Sequence, residues 1–294
     1  MNSVATNSLS TWIAGARPRT LPAAIAPVVV ATALAGRDSQ VLPALLALIV
    51  SLALQVGVNY ANDYSDGIKG TDNDRIGPMR LVGSGAASPE SVKRAAYLSF
   101  LLAAVAGLIL SARSNWLLIL IGALAIIAAW TYTGGRKPYG YFALGEVAVF
   151  IFFGLVATMG TYYVQVNSIS LEVFLAAIAM GSLASALLVV NNLRDLAKDA
   201  AAGKITLAVR LGDKQSRNLY KALLLIPLLI AALLLPASPY FLLAATAAPL
   251  IRSSIKELSS GASGGALIEL LAKTGRIQMI YGLALSLASL IAAR

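Results

Sequence analysis

The sequence predicts an all-α, polytopic integral membrane protein, with about nine transmembrane helices around a central cavity capped by cytoplasmic loops. Three observations lead to this prediction: 58% of the 294 residues are hydrophobic, only 12% are charged, and mean hydropathy is +0.78. A typical soluble domain has about 25% charged residues. We therefore expect most of the chain to lie in lipid as apolar helices.

Each predicted span is an apolar run of roughly the 20 residues that a helix needs to cross a bilayer. In chain order the runs cover residues 20–36, 41–62, 91–112, 115–133, 143–164, 170–191, 216–235, 237–256 and 274–292. Pro27 and Pro227 fall within these runs, where neighbouring helices can satisfy the carbonyl groups that a proline leaves free. We expect kinks rather than breaks, and a single transmembrane domain over residues 1–294.

The basic residues predict how the chain is oriented. Alternating the spans across the bilayer places every Lys and Arg on one side except Arg37, Arg113 and Arg294. Short cytoplasmic loops are enriched in Lys and Arg, so the N-terminus and the long polar loops are expected in the cytoplasm. The formal net charge of +10 is attributed to this bias and to an anionic substrate. No stretch indicates nucleic-acid binding.

The absence of cysteine and histidine limits the chemistry of the chain. It excludes disulfides, thiolate nucleophiles, the usual zinc sites and a histidine general base. Any reaction must use carboxylates, amides, Lys, Arg and Tyr.

A polar stripe ends the second span. If the helix continues past residue 62, the i, i+3, i+4, i+7 spacing puts its members on one face. These are Asn59, Asn62, Asp63 and Asp66, with Gln55 one turn earlier. The alternative to a functional site is an ordinary helix end whose polar residues face water.

A second stripe ends the sixth span on the same predicted side of the membrane. Asn191, Asp195 and Asp199 are spaced i, i+4, i+8, and two facing acidic stripes make one shared site plausible. Facing carboxylates repel unless cations lie between them, and oxygen ligands without His or Cys favour Mg²⁺. The predicted catalytic acids are Asp63, Asp66, Asp195 and Asp199.

Basic residues alternate with these acids instead of forming a separate run. A site that holds both a metal ion and a diphosphate needs this mixture. The positive-inside rule explains the side on which these cations lie but not their positions among the acids. The predicted diphosphate-binding residues are Lys69, Arg75, Arg80, Lys198 and Lys204.

A third stretch, YTGGRKPYGYFALGE at residues 132–146, lies on the same predicted side. Arg136 and Lys137 are expected to bind an acidic second substrate whose aromatic ring stacks on tyrosine. The alternative is an interfacial tyrosine belt with a basic flank. The candidate stacking residues are Tyr132, Tyr139 and Tyr141.

Four stretches resemble the UbiA superfamily of intramembrane prenyltransferases, and in particular its branch acting on 1,4-dihydroxy-2-naphthoate in menaquinone biosynthesis. They are ARPRTLPAAIAPV, NDYSDGIKGTDNDRIGP, TYTGGRKPYGYFALGEVAVFIFFG and NNLRDLAKDAAAGKITLAVRLG. Together they are spread over nearly the whole chain. The resemblance implies a bacterial-type plasma membrane protein with its active site facing the cytoplasm.

The resemblance also implies ligands for Mg²⁺ ions that hold a polyprenyl diphosphate. They are Asn62, Asp66, Asp195 and Asp199, with Asp63 adjacent and Arg80 and Lys204 on phosphate. The superfamily pattern has a further Asp where this chain has Gly70, and Asp72 is the candidate replacement.

The implied reaction transfers a polyprenyl chain to 1,4-dihydroxy-2-naphthoate, releases diphosphate and CO₂, and gives demethylmenaquinone. Two alternatives remain open at this stage. One is the same transfer to another acceptor, such as 4-hydroxybenzoate, homogentisate or a tetrapyrrole. The other is a cation-coupled transporter, which would need acids at the bilayer midplane rather than at one face.

Overall fold

The structure is a computed structural model that describes residues 9–70 and 79–293. Within these residues it is helical, and the only β-type pairing is an isolated bridge between Phe142 and Ile205. The helices are α1 (Leu9–Ala16), α2 (Pro22–Leu34), α3 (Val41–Ile68), α4 (Pro89–Arg113), α5 (Leu117–Thr131), α6 (Gly145–Val166), α7 (Leu171–Ala201), α8 (Leu207–Leu233), α9 (Ala248–Ser259) and α10 (Gly265–Ala292). The predicted all-α membrane fold is confirmed.

Six helices in the described part of the chain are long and apolar enough to cross a membrane: α3, α4, α6, α7, α8 and α10. Helices α2 and α5 are apolar but shorter. The predicted run 237–256 corresponds to the 3₁₀-helix Pro239–Ala247, which continues directly into α9. All nine predicted runs therefore fall on helical structure, whereas the number of helices that cross the membrane stays a prediction.

Local sequence signals fix where several helices begin. Ser88, Ser170 and Thr206 precede α4, α7 and α8, and each side chain accepts a hydrogen bond from a backbone N–H of the first turn. Such caps satisfy donors that a helix start leaves unpaired. Gly212 interrupts α8 with a φ of +77°, a conformation that glycine adopts readily, so the straight part of α8 begins close to the predicted start at 216.

Helices α6 and α7 approach each other backbone to backbone. A side chain on Gly154 would collide with the backbone of Gly181, and one on Gly181 would meet the ring and carbonyl group of Phe150. Gly154 lies within a π-helical segment, Phe150–Val156, in the middle of α6. Small residues permit such close packing between membrane helices, and wide turns of this kind often occur at functional sites.

The bundle has two packed groups of helices. Helices α2, α7, α8 and α10 share the largest core, which includes Met180, Tyr220 and Tyr281. Helices α3, α4 and α5 form the other group, and α5 packs mainly against α3 and α4. One face of α5 bears the exposed side chains Leu120 and Ile127. A central cavity lies between the two groups.

Candidate active site

The central cavity has a volume of about 820 Å³ and is polar at one end and apolar elsewhere. Along α3 it extends from Ala47 to Asp66, roughly 28 Å at a rise of 1.5 Å per residue. The polar end includes Asn62, Asp66, Arg80, Asn191 and Lys204, and the apolar walls include Leu54, Leu110, Ile121, Phe152 and Val156. This division suits a ligand with an anionic head and a long apolar tail.

Helix α3 continues to Ile68, so the expectation that its polar stripe lies on a helix is confirmed. The first two residues of the stripe hold the segment that precedes α2. Gln55 donates a hydrogen bond to Thr20 Oγ1 at 2.9 Å, and Asn59 donates to Ala16 O at 2.9 Å and to Thr20 Oγ1 at 3.1 Å. These two amides therefore help to hold the segment before α2 in place, and both also line the central cavity.

Asp63 is completely buried and holds the loop that follows α3. One carboxylate oxygen accepts the backbone N–H of Leu81 at 2.8 Å, and the other accepts that of Val82 at 3.0 Å. The adjacent residue in this loop, Arg80, lines the cavity. The geometry therefore favours a positioning role for Asp63, and its predicted place among the catalytic acids stays a prediction.

Asn62 and Asp66 are the members of the α3 stripe at the polar end. Asn62 Oδ1 accepts a hydrogen bond from Thr133 Oγ1 at 2.7 Å. Asp66 lies 3.7 Å from the Arg80 guanidinium. It also accepts a hydrogen bond of 3.4 Å from the Tyr141 hydroxyl. Both acceptors thus lie among donors and cations, as a site for a charged headgroup requires.

The α7 stripe also pairs with cations. Asp199 lies 3.5 Å from Lys204 Nζ, and Asp195 binds the Arg194 guanidinium at 2.6 and 2.8 Å. Arg194 also donates to Asn191 Oδ1 at 3.0 Å, and both of these residues line the cavity. Lys198 is half-buried near the end of the same helix.

Tyr141 connects the two stripes. Its hydroxyl donates to Asp66, and its ring lies 4.9 Å from Lys69 Nζ and 5.7 Å from Lys204 Nζ. Lys69 Nζ also donates to Thr133 O at 2.7 Å, and partial burial of this ammonium lowers the pKa of Lys69, an effect that Asp66 opposes. Asp66 and Asp199 are thus linked through Tyr141 and Lys204, and a site shared by the two stripes stays a prediction.

Tyr132 and Tyr139 line the cavity beside this polar end. Their rings pack edge to face with centroids 5.5 Å apart. Burial raises the pKa of Tyr139 to about 12 and, together with the charges of Glu146 and nearby acids, raises the pKa of Tyr132 well above its usual value. Both phenols are therefore neutral hydrogen-bond donors at physiological pH.

The structure separates Arg136 and Lys137 from these tyrosines. Both cations line a second cavity of about 370 Å³ and not the central one. Their predicted role on the acceptor's carboxylate is therefore untested and stays a prediction. Arg75 and Asp72, also named from the sequence, lie outside the described residues.

Arg17 is a cavity residue that the sequence did not identify as part of the site. It lies in a left-handed conformation, φ 55°, just before the 3₁₀-turn Pro18–Thr20, and it lines the central cavity. Its guanidinium donates to Asn59 O at 3.3 Å, and it forms no ion pair with an acid of residues 9–70 or 79–293. Its place in the basic ARPRT stretch at the start of the first span was the available signal.

The donors at the polar end suit Mg²⁺. Within the described ranges no three acids come close enough to form a metal cage. Mg²⁺ in enzymes of phosphate chemistry is commonly held by one or two carboxylates together with substrate phosphates, and it prefers oxygen ligands. Asp66 and the amide oxygen of Asn62 line the polar end and supply oxygens of this kind. Asp195 and Asp199 pair with Arg194 and Lys204, and their role as ligands stays a prediction.

A membrane-embedded apolar cavity that ends in carboxylates and cations defines an intramembrane enzyme that acts on an anionic amphiphile. Residues 24–256 match the UbiA prenyltransferase family, and the chain belongs to this family.

Curated relatives resemble this chain over most of its length. A 1,4-dihydroxy-2-naphthoate octaprenyltransferase of Mycobacterium tuberculosis is 50% identical over 95% of this chain and 96% of its own. The Escherichia coli protein of the same name is 43% identical over 76% of this chain and 75% of its own. A solved UbiA homologue from Archaeoglobus fulgidus, bound to DMAPP and Mg²⁺, shares the fold with a TM-score of 0.62 at 15% identity, over 94% of this chain and 98% of its own.

Proposed function

We propose that this chain transfers a polyprenyl group from polyprenyl diphosphate to 1,4-dihydroxy-2-naphthoate, as a single Mg²⁺-dependent prenyltransferase domain. One observation of the structure supports this function above others: Asp66 and Asp199 are linked through Tyr141 and Lys204, beside the polar end of a long apolar cavity. The naphthoate acceptor is inferred from the similarity to the 1,4-dihydroxy-2-naphthoate octaprenyltransferases.

The diphosphate would occupy the polar end of the cavity. Asn62, Asp66, Asp195 and Asp199 would hold Mg²⁺, which when bound neutralises charge that develops on the leaving diphosphate. Lys69, Arg80 and Lys204 supply charge-assisted hydrogen bonds to phosphate oxygens. Arg75 and Lys198 complete the predicted set of cations.

The reaction needs little acid–base chemistry from the protein. The allylic C–O bond breaks and its electron pair leaves with the diphosphate, which the cations at the polar end stabilise. The aromatic carbon that bears the carboxylate then bonds to the allylic carbon. Loss of CO₂ returns the electron pair of the C–carboxylate bond to the ring and restores its aromaticity. The apolar walls exclude water, which would otherwise capture the carbocation.

The acceptor ring is proposed to pack against Tyr132 and Tyr139, beside the polar end. Two placements of its carboxylate compete. The sequence assigns it to Arg136 and Lys137, whereas the cavity lining favours Arg17, whose charge no described acid neutralises. An arginine beside a planar carboxylate can form two parallel hydrogen bonds.

The proposed orientation has the N-terminus and the polar end of the cavity in the cytoplasm of a bacterial-type plasma membrane. Ser84 and Ala202 lie exposed in the loops after the two stripes, and the chain has no cysteine that would interfere with labelling. A cysteine at either position should react with an impermeant thiol reagent only from the cytoplasmic side. Labelling of the two positions from opposite sides would contradict the shared site.

The function is tested directly with the purified full-length protein, a polyprenyl diphosphate and Mg²⁺. Mass spectrometry of the lipid product should show decarboxylated, prenylated naphthoate, and diphosphate release should require the metal. Parallel reactions with 4-hydroxybenzoate and homogentisate test the acceptor. Prenylation of either in preference to the naphthoate would refute the acceptor assignment but retain the class of reaction.

A further inference from the structure

The second cavity lies outside the site described above. Its walls come from the segment joining α5 to α6 and from the segment joining α7 to the start of α8. A hydrogen bond from Ala143 N to Ile205 O, 3.0 Å long, ties the two segments together. The lining includes Arg136, Lys137, Tyr141, Phe142, Ile205 and Arg210.

Among the described residues, three cations line this cavity and no acid does. Arg136, Lys137 and Arg210 are exposed, and none of them forms an ion pair or a side-chain hydrogen bond within the described residues. In the central cavity, Arg80, Arg194 and Lys204 each pair with a carboxylate, although Arg17 does not within the described residues. Three unneutralised charges around one small cavity repel each other, and a bound anion would remove this repulsion.

Apolar side chains surround the same cavity. Phe142 is 54% exposed and Ile205 is 44% exposed, and exposed Leu144 and Leu211 lie next along the chain to the lining segments. The cavity lies at the starts of α6 and α8, both of which are apolar enough to span a membrane. Cations and exposed apolar side chains therefore occur together where these helices enter the bilayer.

We propose that the second cavity binds an anionic phospholipid, with its phosphate against Arg136, Lys137 and Arg210 and its acyl chains against Phe142 and Ile205. Basic pockets between membrane helices recognise acidic headgroups, and the negative surface of the cytoplasmic leaflet supplies them. The polyprenyl diphosphate already has its own set of cations at the central cavity. The proposal requires that the chain lies in a membrane with this cavity on the cytoplasmic side, and it does not depend on the reaction assigned above.

Tyr141 gives this site a connection to the central cavity. Its side chain lines the second cavity, while its hydroxyl contacts Asp66 and its ring faces Lys204. A lipid headgroup in the second cavity would therefore lie one side chain away from the polar end of the central cavity.

The test is binding of lipid to the intact purified protein in the absence of substrates. Native mass spectrometry would compare dioleoylphosphatidylglycerol with dioleoylphosphatidylcholine. Each cation near a membrane surface contributes about a fivefold change in affinity, from roughly 1 kcal/mol per charge. Arg210→Ala should weaken phosphatidylglycerol binding about fivefold, and the triple variant with Arg136→Ala and Lys137→Ala on the order of a hundredfold.

Lys214→Ala is the matched control, because Lys214 is an exposed cation one turn further along α8 and does not line the cavity. It should leave phosphatidylglycerol binding and turnover unchanged. Three results would overturn the proposal: equal binding of the two lipids, equal weakening by Lys214→Ala and Arg210→Ala, or complete displacement of the lipid by inorganic phosphate. An increase in the acceptor's KM on Arg136→Ala, with lipid binding unchanged, would also overturn it and assign the residue to the acceptor.

Discussion

The Asp63→Asn variant tests whether Asp63 positions the loop after α3 or acts with the proposed metal ligands. The buried Asp63 carboxylate accepts two backbone N–H bonds, from Leu81 and Val82. Asparagine keeps one acceptor oxygen but turns an NH₂ group toward the other N–H. Hydrogen bonds to a charged group contribute about 1.5–3 kcal/mol each, so we expect the loop to lose roughly 2–3 kcal/mol of stabilisation.

This loss should affect substrate binding through Arg80, which precedes Leu81 in the loop and lies 3.7 Å from Asp66. If the full loss of roughly 2–3 kcal/mol weakens the contact between Arg80 and the diphosphate, kcat/KM for the prenyl diphosphate falls by about 30- to 150-fold. This value is an upper limit. The Mg²⁺ concentration for half-maximal activity should change little. Asp66→Asn, in contrast, should raise the Mg²⁺ requirement, because Asp66 is a proposed ligand.

The assay is steady-state turnover by the purified protein at several Mg²⁺ concentrations, with the prenyl diphosphate varied at saturating acceptor. Asp213→Asn is a suitable control, since this exposed acid pairs with Arg217 one turn along α8 and, within the described residues, lines neither cavity. If Asp63→Asn and Asp66→Asn shift the Mg²⁺ requirement equally, Asp63 acts with the metal ligands and the positioning argument is wrong.

Three further predictions concern the candidate active site. Asp195→Ala should abolish turnover while the protein remains folded and membrane-inserted, because the change removes a metal ligand and no core packing; near-normal activity at saturating Mg²⁺ would disprove the two-stripe site. Arg17→Ala should raise the acceptor's KM about tenfold or more and leave the prenyl diphosphate's KM nearly unchanged, since one or more charge-assisted bonds contribute about 1.5–3 kcal/mol each. Because burial lowers the pKa of Lys69, its positive charge is lost sooner than that of a free lysine as pH rises, and kcat/KM for the diphosphate should fall at alkaline pH. Lys69→Arg should move this fall to higher pH, and an unchanged profile would exclude Lys69 as its cause.

The spacing of polar residues indicated a candidate site on one face of α3 but not how the contacts of its residues differ. Gln55, Asn59 and Asp63 share a helix face with Asn62 and Asp66, so periodicity treats all five alike. Their partners are backbone groups of residues 16 and 81–82 and side chains of residues 20 and 133, which lie in other segments. Such tertiary partners decide which polar group faces the ligand, and helical spacing contains no information about them.

The basic stretch at residues 132–146 shows a similar limit. Its tyrosines and its adjacent cations are close in sequence, yet Tyr132 and Tyr139 line the central cavity while Arg136 and Lys137 line the second one. The segment is a loop that turns between them, including a short 3₁₀-turn at Tyr139–Tyr141, so adjacent residues point to different cavities. The apolar runs were easier to predict, because length and hydropathy alone define a membrane helix.

Helix α5 forms part of the wall of the central cavity. Ile121 and Ala125 face the cavity, while Leu120 and Ile127 face outward, and the helix is held mainly by α3 and α4. Moving a hydrocarbon tail through water would cost about 0.8 kcal/mol for every CH₂ group, so a prenylated product is expected to leave sideways past this helix. The length of the tail is then not limited by the volume of the cavity, because carbons that do not fit inside remain in the bilayer throughout the reaction.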